Sequence, residues 1–147
     1  MEKWVPVIAT VIAGGLVALQ APINSNLGKS VGTFAASSVS FAIGLTVLVA
    51  ITVLAGGGFG DVSKAGDLRW YYLTGGVLGA AYVTTVLLSV RELGAGGVTA
   101  ATIAGQLTMS VFIDRAGVLG LEERGLTPQR VIGIALLAAG TLLIVRD

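Results

Sequence analysis

Three polar side chains, Gln106, Ser110 and Asp114, follow one another at four-residue spacing in an otherwise apolar stretch, Ala101 to Gly117. On a helix, residues four apart stack on one face, so the three form a slowly drifting polar stripe. At about 1.5 Å of rise per residue, Gln106 and Asp114 lie roughly 12 Å apart along the axis. A second pair, Gln20 and Asn24, has the same spacing and flanks Pro22. A primary amide brings two donors and an acceptor, which suits recognition of a neutral or zwitterionic solute. Covalent chemistry is not suggested. No nucleophile–base pair is apparent, and the chain has neither Cys nor His. That removes thiols, disulfides and the commonest metal-ligand side chains, so neither a metal nor another cofactor is expected.

The elements that must position these residues are membrane spans. Of the 147 residues 54% are hydrophobic and only 12% charged, and the mean hydropathy is +0.91. Soluble domains carry about 25% charge, and here the few charges cluster, leaving long uncharged runs. A crossing needs about 20 mostly apolar residues. Five such stretches are predicted, at 4–27, 33–55, 70–90, 95–113 and 129–145, within one domain covering 1–147. The fold class is therefore all-α, a polytopic membrane protein. The net charge of +1 gives no basic field for nucleic acid. The partners expected are the lipid bilayer, a small-molecule substrate and a second subunit.

Taken in order, the first span is read as uncleaved. The uncharged run Val5–Leu19 is shorter than a crossing, so the span must take in Gln20 and extend toward Pro22 and Asn24. Pro22 removes a backbone hydrogen bond and is expected to kink or loosen the last turns, with Gly28 and Lys29 ending the span. Freed carbonyls are tolerated at membrane depth where they line a wet cavity or are buried in protein. The second span opens on small residues, with Ala36, Ser40 and Gly44 at four-residue spacing. Residues 56–69 are a Gly-rich loop. Trp70, Tyr71 and Tyr72 open the third span with an interfacial aromatic group; it contains Gly75, Gly79 and Tyr82. Arg91 to Gly94 is a short turn predicting an antiparallel hairpin with the fourth span. After the charged connector 114–128, Pro128 opens the last helix at its first turn.

With five spans, Lys3, Lys64, Arg69, Arg115, Arg124 and Arg130 share one side, against Lys29, Arg91 and Arg146 on the other. The positive-inside rule then places the N-terminus in the cytoplasm. A five-span unit must obtain its inverted counterpart from another chain. A dimer is therefore expected, with a two-fold axis if the copies are identical.

The residues Gln20-Ala-Pro-Ile-Asn24, Ser38-Val-Ser-Phe-Ala-Ile-Gly44, Gly75 to Tyr82, Leu93-Gly-Ala, and Gly105-Gln106-Leu followed by Asp114 and Gly117 together carry a resemblance. In that order and spacing the chain resembles the YdcZ-type small inner-membrane proteins of the drug/metabolite transporter superfamily. The likeness covers essentially the whole chain and rests on the ordered set rather than on any one motif. It implies an inner-membrane exporter whose five-span subunits work as inverted pairs, homodimeric, heterodimeric or fused, in a ten-helix assembly. Related four-span multidrug exporters use a membrane-embedded Glu in span one. Here no Asp or Glu lies between Glu2 and Asp61, so drug–proton antiport of that type is not expected.

The candidate substrate contacts are Gln20, Asn24, Tyr82, Gln106 and Ser110, with Gln106 facing Gln20 across a proposed cavity. Each has a plainer alternative. The amides can serve as interhelical glue, worth about 0.6 kcal/mol on average between membrane helices, and Tyr82 can be packing. Asp114 is the candidate for proton or ion coupling, with Glu92 the other carboxylate near a span; a bland pairing with Arg115 competes. Ser38, Ser40, Thr84, Thr85 and Ser89 are expected to bond the preceding turn. Gly44, Gly75, Gly79 and Gly105 are read as helix-packing positions. The function expected is secondary export of a small organic metabolite by alternating access. The alternatives are a narrow ion channel and a non-transporting accessory or scaffold subunit, and dual topology is the natural route to an antiparallel homodimer.

Overall fold

The computed structural model describes residues 4–119 and 121–146; Lys3, which enters the charge count above, lies outside them. All regular structure among the described residues is helical. Helix α1 spans Trp4–Val31 and α2 spans Thr33–Leu54. Two 3-10 turns follow, Val62–Asp67 and Trp70–Leu73. The stretch Gly75–Ala116 is helical on both sides of Gly94, and its halves are numbered α3 (75–93) and α4 (95–116). Helix α5 spans Pro128–Val145.

Among the described residues four stretches are long and apolar enough to cross a membrane: α1, α2, Trp70–Ala116 and α5. The third, at 47 residues, is about 70 Å of helix, twice what a hydrocarbon core of about 30 Å accommodates. Gly94 supplies the break. Its φ of 66° and ψ of 171° lie where a side chain is heavily penalised, so glycine is the residue that lets the helix stop and restart there. Among the described residues the long apolar helices then number five, α1 to α5. The ends that differ have local causes. Helix α1 runs on past Gly28 and Lys29 to Val31, and the reversal falls at Gly32, whose φ is 88°. The aromatic group at 70–73 is a 3-10 turn, and α3 proper starts at Gly75. Helix α4 continues through Asp114 to Ala116.

The chain divides into two compact units at Arg91. In the first, α1 and α2 form a hairpin: Gly28 packs on Ala36, and Asn24 meets Ser40. Helix α3 runs antiparallel to α2, with Gly79 against Phe41 and Thr84 near Ser37. Its buried centre is Ala36, Val83 and Leu87, flanked by Leu27 and Tyr82. Ala36 and Leu87 have no exposed surface. In the second unit, α4 and α5 are antiparallel: Gly97 lies against Val145, and the Thr141 hydroxyl donates to the Ala100 carbonyl at 3.1 Å. Large apolar side chains such as Leu16, Leu48 and Leu143 are exposed, as expected where the surrounding solvent is lipid.

Candidate functional site

In the first unit, Gln20, Asn24 and Tyr82 come together on one cleft, completed by Val17, Val83 and Leu87. Its enclosed space is about 10 Å³, close to the least that holds one water molecule. Two of the polar residues come from α1, where the four-residue spacing puts them on one face. Tyr82 comes from α3, which runs parallel to α1. Gln20 is exposed, whereas Asn24 is 5% exposed. The Asn24 amide nitrogen donates to the Ser40 hydroxyl on α2 at 3.0 Å. The hydrogen-bonding capacity left to Asn24 resides mainly in its carbonyl oxygen.

Pro22 sits between the two amides, and α1 remains helical through it to Val31. Its missing N–H leaves the Ala18 carbonyl without its usual helical partner. Ala18 is half-buried, at the level of the cleft-lining Val17.

A polar seam backs this cleft. Besides Asn24 and Ser40, the Thr84 hydroxyl donates to the Ser37 hydroxyl at 3.4 Å, and Ser37 in turn donates to the Thr33 carbonyl. Ser38 and Thr85 bond the preceding turn, to Phe34 and Ala81, as expected of isolated hydroxyls. Ser40 and Thr84 instead reach across helices. The sequence does not announce these links, because only the register of the two hairpins sets them.

At the same end of the unit, Arg91 lies over Gly28. A Cβ there would come within 3.1 Å of the guanidinium. Of the four glycines read as packing positions, Gly79 meets a neighbouring helix, at Phe41. Gly44, Gly75 and Gly105 have no such atom within 4 Å. Gly28 and Gly97 do have close neighbours and were not singled out, although Gly28–Gly32 and Gly97–Ala101–Gly105 carry the same four-residue small spacing.

In the second unit the stripe is present as expected on α4. Gln106 and Ser110 are exposed, and neither hydrogen-bonds a described residue. Asp114 is half-buried and accepts from Arg130 of α5 at 3.2 Å. The neighbouring Arg115 turns to Glu123 instead, at 2.5 Å. The Asp114 carbonyl accepts from the Arg124 backbone at 2.8 Å, and Glu123 packs on Gly117. The charged connector therefore folds back on the end of α4, and Asp114 anchors it. On another side of α4 an open trough of about 580 Å³ is lined by Ala104, Gly105, Thr108, Met109 and Phe112. Its one hydroxyl, Thr108, is spent on the Ala104 carbonyl, so this face suits lipid or a packed helix rather than a polar solute.

No group of three or more Asp or Glu residues that could hold a metal ion occurs among the described residues. The side chains gathered here offer hydrogen-bond donors and acceptors. No curated protein and no solved structure matches the chain. Residues 5–143, α1 through most of α5, match the family model described as "Putative inner membrane exporter, YdcZ", and the chain belongs to that family.

Proposed function

We propose that this chain is one half of a secondary exporter for a small polar organic metabolite, working as an inverted pair by alternating access. The observation that carries the reading is the cleft of Gln20, Asn24 and Tyr82, a polar wall inside an apolar, membrane-compatible unit. Intramembrane polar groups default to functional hypotheses, and the exporter family supports transport as the function. In this reading Gln20, Asn24 and Tyr82 hold the solute in one unit, and Gln106 and Ser110 on α4 furnish a second patch. A site of amides and hydroxyls favours a neutral or zwitterionic solute over a lone cation. The cleft accommodates about one water, so solute entry requires the helices to part, as rocking of one subunit on the other provides. That small volume also weighs against a continuously conducting pore.

Asp114 carries proton or ion coupling in this reading, released from Arg130 when it loads. The N-terminus is assigned to the cytoplasm, in at least one of two insertion orientations. Metabolite flux into proteoliposomes is the test: Gln20→Ala and Asn24→Ala should each lower it severalfold at unchanged insertion. Unchanged flux in both variants would remove the cleft from the pathway. Asp114→Asn should keep downhill flux but lose its response to a pH gradient.

A further inference from the structure

Of the three polar residues on the cleft, Asn24 alone is nearly covered, and its surroundings give it a fixed polarity. Four residues separate Asn24 from Gly28 on α1, and Ala36 from Ser40 on α2. On antiparallel helices such spacings pair one turn and then the next. Gly28 lets α1 approach Ala36, whose methyl would lie 3.7 Å from an added Cβ, and one turn away Asn24 meets Ser40. Close helix packing thus sets the register of the hydrogen bond. The Asn24 amide nitrogen donates to Ser40 Oγ at 3.0 Å, which commits that end of the side chain to α2. Its Oδ1 accepts from no described residue, although Asn24 is only 5% exposed. Yet every fully buried side-chain nitrogen or oxygen among the described residues has a hydrogen-bond partner. Oδ1 therefore keeps some accessible surface, and the space that Asn24 lines is the cleft.

We infer that Ser40 is a positioning residue for solute selection. By holding the Asn24 amide nitrogen it turns an acceptor, Oδ1, into the cleft, which then selects solutes that bring an N–H or O–H donor to that point. This deepens the exporter reading above and rests on it for the cleft being the solute site. The other two polar residues impose no such choice. Gln20 is exposed and can present either end of its amide, and the hydroxyl of half-buried Tyr82 both donates and accepts. At Asn24 an arriving carbonyl, ether or carboxylate oxygen would set two acceptors against each other with no proton between them. Ala21, Val83 and Leu87 around it are buried and apolar, so little else there can satisfy either oxygen. An unmet buried acceptor of this kind weakens binding roughly tenfold. The substrate class is therefore a small solute carrying an ammonium, primary amide or hydroxyl group, and a zwitterion is admitted by its ammonium end.

The chain has two asparagines, Asn24 and Asn26, and Asn26 is exposed. Isotope labelling of the asparagine side-chain amides therefore gives a site-specific NMR signal with its own control. In the full chain in micelles, the Asn24 amide protons should exchange with solvent more slowly than those of Asn26, and Ser40→Ala should remove that protection. The labelled carbonyls are then titrated with matched solutes, glycine against N,N,N-trimethylglycine and acetamide against N,N-dimethylacetamide. Each pair keeps its acceptors and differs in its donors. The donor-bearing member should shift the Asn24 carbonyl at concentrations about tenfold lower than its methylated counterpart, with Asn26 unmoved. Ser40→Ala should erase the difference, and Ser40→Thr, which keeps the hydroxyl, should restore it. A Ser40 that merely braces the helices would change stability and leave the ratio alone. A preference that survives in Ser40→Ala reports solute size and overturns the proposal. So does equal binding in the native chain, a preference for the methylated member, or no response of Asn24 to any of the four solutes. Flux that falls in Gln20→Ala and Asn24→Ala without a donor preference sinks this inference and leaves the exporter reading standing. A donor preference with unchanged flux does the reverse.

Discussion

In residues 4–91 two of the three buried polar side chains, Asn24 and Ser37, are joined to other helices, at Ser40 and Thr84. In residues 92–146 the hairpin is instead held by a backbone-directed hydroxyl, Thr141, and by the Asp114–Arg130 pair near its end. The polar groups at its centre, Gln106 and Ser110, stay exposed. Burial follows the same division. The first unit contains fully covered Ala36 and Leu87, whereas in the second the buried hydrophobics, Val98, Ala100 and Val111, all lie on α4 and none on α5. The lesson is that equal hydropathy hides unequal self-sufficiency. The first unit joins most of its buried polar groups internally, beside a cleft where Gln20 stays exposed, while Gln106 and Ser110 of the second hydrogen-bond no described residue.

The strongest way to break this comparison is in the cores. Leu87→Ala empties a fully covered site between α1, α2 and α3. In soluble cores such a change costs about 2–5 kcal/mol, part of it transfer and part cavity. Lipid removes much of the transfer part, so a loss of about 1–3 kcal/mol is expected in unfolding from mixed micelles. Leu143→Ala on α5, at a position 73% exposed, should change stability by less than about 0.5 kcal/mol. Equal losses at the two sites would mean that the second unit has a core of its own.

The amides sharpen the contrast. Asn24→Ala breaks a buried link and should cost about 0.6–1.7 kcal/mol, from the average to the largest value for hydrogen bonds between membrane helices, with most of it recovered as coupling in a cycle with Ser40→Ala. Gln106→Ala should leave the stability of the isolated chain in dilute detergent unchanged and lower only its association. A Gln106 variant that destabilises the isolated chain as much as Asn24→Ala would show that its partner lies within the same chain.

Much of this architecture is legible in the sequence. Thr127-Pro128 announces the start of α5, because the Thr hydroxyl accepts from the Arg130 amide and proline needs no donor at that position. Gly94 marks the break between α3 and α4 for an equally local reason. Gln20 and Asn24 reach one cleft because their spacing is helical. Tyr82 joins them through the parallel placement of α1 and α3, which no local signal encodes. The ionic partners illustrate the same limit. Asp114 has Arg115 next to it in sequence, yet a residue one position on points about 100° around the helix. It pairs instead with Arg130, which only the α4–α5 register brings near.

That ion pair provides a smaller test of the comparison. Asp114 and Arg130 side chains are each about 30% exposed, so solvent screening limits the interaction to roughly 1 kcal/mol or less. Arg130→Ala should therefore cost under about 1 kcal/mol and loosen the 117–127 connector, visible as faster cleavage by a protease added on that side. No such effect should follow from Lys64→Ala, whose pairing with Asp61 is largely solvent-facing.

The smallest expected effect belongs to Thr84→Ala. Its hydroxyl reaches Ser37 at 3.4 Å, near the limit of a useful hydrogen bond, and Ser37 keeps its own bond to the Thr33 carbonyl without it. A loss of about 0.3 kcal/mol or less is expected, below the average for interhelical bonds. Thr84→Val is the sharper variant, because it keeps the volume and removes only the donor. Should Thr84→Val cost as much as Asn24→Ala, the two links act as one network joining all three helices. Should it cost nothing, Asn24–Ser40 alone fastens the wall of the cleft, and substitution at Ser40 becomes the way to loosen that wall without touching a residue that lines it.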